Sequence, residues 1–79
     1  MPITYMTTLA DLPVGKTCHI CTVHAAGLTR QRLLNLGFVP GTAVKSLHRS
    51  PLSDPTAYLI RSTIIALRRE DAAMIAVSV

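Results

Sequence analysis

Seventy-nine residues make a single small domain spanning 1–79, and a 49% hydrophobic content with one Phe, two Tyr and no Trp gives it an aliphatic core rather than a platform for stacking bases. The formal charge of +4 comes from eight basic residues spread along the chain against four acidic ones, without the dense basic cluster that marks nucleic-acid binding. No apolar run approaches the roughly 18 residues of a membrane span, the opening Met-Pro-Ile-Thr-Tyr-Met is not built like a signal peptide, and two cysteines do not make a disulfide framework, so a cytoplasmic protein without membrane insertion is expected.

In chain order, Thr8-Leu9-Ala10-Asp11 reads as a capping-box start, with Thr8 as N-cap and Asp11 at the third helical position. Pro13 and Gly15 cut that helix to one turn, leaving Leu9 and Leu12 to lid the core. Lys16 to Val23 reads as a strand with Cys18 and Ile20 on one face and His19, Cys21 and Val23 on the other. After the loop His24-Ala25-Ala26-Gly27, Thr29 caps a short helix running to about Leu36. Leu28 and Leu33 then stand at the positions of a hydrophobic staple. Gly37 supplies a left-handed helix stop, and Phe38 reaching back to Leu33 completes a Schellman motif. Pro40-Gly41 fits a type II turn, with proline fixing one central residue and glycine taking positive φ at the next.

Thr42 to Arg49 is the second strand. The loop Ser50 to Thr56 carries Pro51 and Pro55, which do not fit mid-sheet. Ala57 to Arg61 and Thr63 to Arg68 are strands joined by a very short turn at Ser62, and Arg69 to Ala72 turns the chain. Met74 to Val79 is a last strand with Ile75, Val77 and Val79 inward. About five short strands and one helix inserted after the first strand suggest a small barrel, whose closure would protect its edges.

Several of these stretches resemble one family. Leu9-Ala10-Asp11-Leu12-Pro13-Val14-Gly15, Arg32 through Val44, the loop Ser50-Pro51-Leu52-Ser53-Asp54-Pro55, and Ile65 through Ala72 followed by Ile75 and Val77 are similar, in order and spacing, to FeoA, the ferrous iron transport protein A family. The resemblance implies a mainly β, SH3-like barrel in the bacterial cytosol. It implies an accessory role in ferrous iron uptake, exerted on the membrane transporter FeoB through that transporter's cytosolic GTP-binding region. It implies a fold shared with the C-terminal domain of iron-dependent repressors. One departure is visible: the family usually places glycine in the hairpin that here reads Arg61-Ser62-Thr63. A serine held at positive φ costs on the order of 1 kcal/mol.

Catalysis has little to stand on, and no enzymatic activity is expected. The four carboxylates, Asp11, Asp54, Glu70 and Asp71, fall in a cap and in turns, and no nucleophile stands beside an evident base. No cofactor is expected. Cys18-His19-Ile20-Cys21 with His24 resembles a metal-binding spacing, so His19, Cys21 and His24 form the alternative reading of a weak transition-metal or metal-sensing site. A second ligand pair is lacking, and on an extended strand the two cysteines point to opposite faces. A small nucleic-acid-binding barrel is a further alternative, but Tyr5, Tyr58 and Phe38 are few and scattered. Recognition of a protein surface remains. Leu28, Arg30 and Arg32 on or beside the helix, and Arg49, Leu52 and Tyr58 on or near the proline loop, combine apolar and arginine character, as interface hot spots do. A free edge on the last strand would also permit pairing with a second copy.

Overall fold

Short runs of β-branched residues bounded by Gly and Pro become strands, and the structure, a computed structural model, describes residues 6–51 and 54–79. The elements are β1 (Met6–Thr8), a 3₁₀ turn (Leu9–Asp11), β2 (Thr17–Val23), α1 (Gly27–Asn35), β3 (Ala43–Arg49), β4 (Thr56–Ile60), β5 (Thr63–Leu67), α2 (Arg69–Ala72) and β6 (Ile75–Ser78). Antiparallel pairing links the strands in the order β1-β6-β2-β3-β4-β5. The mainly β architecture is the one expected, with two corrections. Met6–Thr8 pairs with β6 as an additional strand, so the inserted helix follows the second strand. Among the described residues the sheet is also not closed by hydrogen bonds, because β1 and β5 are its two ends and do not pair.

One cluster of buried residues drawn from the strands, α1 and the 3₁₀ turn forms the core. Leu9 and Leu12 lid it from the 3₁₀ turn, Leu33 enters from α1, and Phe38, Ile75 and Val77 are fully buried beneath them. Tyr58 is buried in this core and donates its hydroxyl proton to the Leu9 carbonyl at 3.2 Å, which ties β4 to the lid. Thr8 precedes the 3₁₀ turn as expected, but its hydroxyl donates to the Asp11 carboxylate at 3.2 Å instead of capping a backbone N–H.

Two details of the strands differ from simple alternation. The β2–β6 register shifts between Ile20 and Thr22, leaving Cys21 as an extra residue. Such a bulge reverses the facing of everything after it. Val23 is therefore buried on the same side as Cys18 and Ile20, not beside His19. Val79 lies beyond the end of β6 and is half-exposed, so it does not join Ile75 and Val77 inside.

The helix stop follows the sequence closely. The Phe38 N–H donates to the Leu33 carbonyl at 3.1 Å and the Gly37 N–H to Leu34 at 3.0 Å, the paired bonds of a Schellman motif. Gly37 takes φ +109° and Gly41 takes φ +90°. The Thr42 N–H closes the Pro40-Gly41 turn on the Val39 carbonyl at 3.1 Å. The other end of α1 departs from expectation. The helix begins at Gly27, with Ala26 as an N-cap that has no side-chain bond. Leu28 thus falls inside the first turn and is 86% exposed, so no staple to Leu33 forms. At the β4–β5 hairpin, Arg61 and Ser62 take φ +50° and +65°. Both are left-handed, as a two-residue type I′ turn demands, without the glycine that would make the turn strain-free.

Candidate functional site

Helix α1 projects most of its surface away from the core: among its nine residues only Leu33 is buried. Leu28, Arg32 and Leu36 recur every fourth residue and so share one face. With Gln31 and Asn35 they line a shallow groove of about 450 Å³. Leu28 is almost fully exposed and Leu36 is 40% exposed, so an apolar strip runs along this face. Gln31, Asn35 and Leu36 lie outside the surface expected from sequence; the four-residue spacing Leu28-Arg32-Leu36 is the signal that marks them.

The residues expected to bind a partner divide into groups that the fold does not merge. Leu28 and Arg32 meet in the groove, and Arg30 stands exposed on the same helix. Arg32 is also a tether: its guanidinium contacts the Asp71 carboxylate at 2.7 Å, joining α1 to α2. Because Arg32 remains largely exposed, that pair contributes at most about 1 kcal/mol. Arg49, at the end of β3, donates to the Leu12 carbonyl at 3.5 Å. No hydrogen bond or ion pair among the described residues links Arg49 to the α1 group. Tyr58 is 2% exposed and cannot offer its ring to a partner, a correction to the expected surface. The inward-facing strand position decides this, since Tyr58 pairs with the buried Ser46 across β3 and β4. Burial pushes the Tyr58 hydroxyl pKa up, partly offset by the Thr56 hydrogen bond and the charge of Arg49. Leu52 lies outside the described residues.

The alternative metal ligands are not gathered. Cys18 is buried, and burial, with a smaller contribution from Cys21, pushes its thiol up to about 11, so it is a core thiol and a poor ligand at neutral pH. Cys21, at the bulge, is half-buried and directs its thiol to the Met6 thioether at 3.7 Å. His19 and His24 are exposed. Among the described residues, no group of three or more His, Cys, Asp or Glu side chains forms a metal-binding set. The Phe and Tyr rings of the described residues, Phe38 and Tyr58, are both buried, so neither can stack on a base. No helix among the described residues is long and apolar enough to cross a membrane.

Comparison with known proteins follows the same architecture. Residues 7–79 match the FeoA domain. A fusion protein of Porphyromonas gingivalis, Fe(2+) transport protein A joined to the Fe(2+) transporter FeoB, is 41% identical over 69 residues. That alignment covers 87% of this chain but 8% of the fusion protein. The solution structure of FeoA from Chlorobium tepidum is 32% identical, with a TM-score of 0.86 over 92% of this chain and 70% of that one. The zinc complex of Stenotrophomonas maltophilia FeoA, described as a prokaryotic SH3 domain protein, is 29% identical with a TM-score of 0.76, covering 90% of this chain and 88% of that one. Because the FeoA domain matches residues 7–79, nearly the whole chain, and the solved FeoA structures share its SH3-like sheet, this chain belongs to the FeoA domain family.

Proposed function

We propose that this protein is a non-enzymatic accessory protein of ferrous iron uptake that docks on the cytosolic GTP-binding region of a FeoB-type transporter. The observation that carries the reading is the Porphyromonas gingivalis fusion, in which a domain 41% identical to this one shares a chain with FeoB. Fusion holds two modules at an effective concentration in the millimolar range. Such tethering is useful when the modules touch. In this reading the protein stays in the cytosol and reaches the inner face of the membrane through its partner.

The exposed surface of α1 is the contact surface in this reading, with Leu28 as the apolar anchor, Arg32 as the charge that shares its face, and Arg30 exposed on another side of the same helix. Leu28 at 86% exposure makes no contribution to the core that would explain its apolar character. Arg49 extends the basic character toward the proline loop. Docking biases the transporter toward one conformation by no more than the difference in affinity between its states. The test is calorimetric titration of the transporter's isolated cytosolic region with this protein. Binding is expected, and the Arg30→Glu/Arg49→Glu double variant should weaken it at least about tenfold while the variant still unfolds cooperatively. Unaltered affinity in the double variant would remove these arginines from the surface. No binding by the unsubstituted protein would remove the docking itself.

A further inference from the structure

A second groove lies on the outward face of the sheet and shares no lining residue with the α1 groove. Strand alternation turns Cys18, Val44 and Ile60 into the core and leaves Thr17, Lys45 and Leu59 on the opposite face. Register sets these three in one row across β2, β3 and β4, with Thr17 opposite Lys45 and Lys45 opposite Leu59. Arg61 comes to the same place from the β4–β5 turn. Its stem packs beside Gly37, with Cδ 3.7 Å from where a Cβ there would stand. With Ser62, Thr17, Ala43 and Lys45 it lines a groove of about 240 Å³.

The charges around this groove are of one sign. All four carboxylate side chains of the protein lie about α2. Glu70 and Asp71 belong to it, Asp11 contacts the Arg69 guanidinium at 3.6 Å, and Asp54 accepts the Arg69 N–H at 2.8 Å. None of them lines the groove. Neither Lys45 nor Arg61 is in an ion pair among the described residues, and both are exposed. Lys16 lines an adjoining groove that shares Thr17, so a third cation stands beside the first two. Cations of one sign around a concavity concentrate anions there. The turn also keeps Arg61 and Ser62 at φ +50° and +65°, where glycine would be free of strain. A guanidinium and a hydroxyl are thus held at the groove against a backbone cost.

We propose that this groove binds the phosphate of a phosphate monoester, independently of the transporter reading. Arg61 and Lys45 hold its oxygens, and the Thr17 and Ser62 hydroxyls donate to them. A monoester carries nearly two negative charges at neutral pH, since its second pKa is about 6, and the two cations match that charge. A carboxylate would bring one charge and two oxygens to the same four donors. The guanidinium offers paired N–H donors and the ammonium a compact point charge, a complementary set for phosphate oxygens. No aromatic ring lines the groove, so recognition rests on the phosphate and not on a stacked base. The ester is carried by a small soluble molecule or by a lipid head group.

The test follows the amide NMR shifts of the whole protein near neutral pH at constant ionic strength. Glycerol phosphate is the soluble ester, and phosphatidylcholine vesicles with or without phosphatidic acid present the same group on a membrane. Glycerol phosphate should give saturable shifts at Thr17, Lys45, Arg61 and Ser62, and chloride should not. Tighter binding to phosphatidic acid vesicles would assign the ester to a lipid, and binding to glycerol phosphate alone would assign it to a soluble molecule. Arg61→Gly removes the guanidinium while giving the turn the residue its backbone favours, so it should fold as well as the parent and bind at least about tenfold more weakly. Lys45→Gln, at an exposed strand position, should weaken binding in the same direction. Arg68→Gln loses the same charge outside the groove and should stay within about twofold of the parent, because distant exposed charges are screened. Shifts that never saturate or that centre elsewhere, parental affinity in Arg61→Gly, or equal weakening in Arg68→Gln would overturn the proposal.

Discussion

Two leucines five residues apart on one helix have opposite fates. Leu33 is wholly buried, and its carbonyl anchors the Schellman bond from Phe38. Leu28 stands almost fully in solvent on a turn whose N-cap has no side-chain bond. The C-terminal end of α1 is thus fixed by backbone geometry and burial together. The outer face is fixed by neither, and its residues are free to serve a partner. If α1 is the docking face proposed above, stability and recognition are carried by different residues of the same short helix. Substitutions should therefore separate them.

The largest expected effect is at Leu33. Leu33→Ala leaves a cavity under the sheet and should cost about 3 kcal/mol in urea unfolding. Since small domains have a thin margin, much of the population should unfold near body temperature. Gly37→Val comes next. The Cβ itself finds room, with its nearest neighbours at 3.7 Å on Arg61 and Ile60. The cost comes from a branched residue at φ +109°, about 2 kcal/mol. Whatever fraction folds should bind partner normally, and a stable Gly37→Val protein with selectively lost binding would break the division. In the opposite direction, Ser62→Gly should raise the unfolding free energy by about 0.5–1 kcal/mol, because it relieves a left-handed serine while giving back some unfolded-state entropy. An unchanged midpoint would mean that the hairpin carries no strain. The smallest effect on stability is at Leu28: Leu28→Ser should stay within about 0.5 kcal/mol of the parent while its affinity for the transporter's cytosolic region falls. A Leu28→Ser protein that is clearly destabilised would place Leu28 in the fold after all.

Much of this architecture is legible in local residue patterns. Gly37 and Gly41 sit where positive φ is required, and Leu33 and Phe38 occupy positions whose contact a Schellman motif brings about. These are decisions of a few adjacent residues, which is why they survive translation from sequence to structure. Val23 shows the limit. Its facing depends on a bulge at Cys21, which arises only when β2 is matched against β6. Tyr58 shows the same limit at the site. A tyrosine after a proline loop reads equally as surface or core, and only its place opposite Ser46 and beneath Leu9 decides.

The sequence by itself determined the strand-rich class, the helix stop, the Pro-Gly turn and the family, because each rests on short-range backbone preference or on blocks of residues in fixed order. Tertiary structure alone decided which side chains stay outside. Burial is a property of pairing between distant strands, not of local spacing. It placed Tyr58 and Cys18 in the core, left Leu28 and Leu36 together on an open face, and left β5 at an end of the sheet.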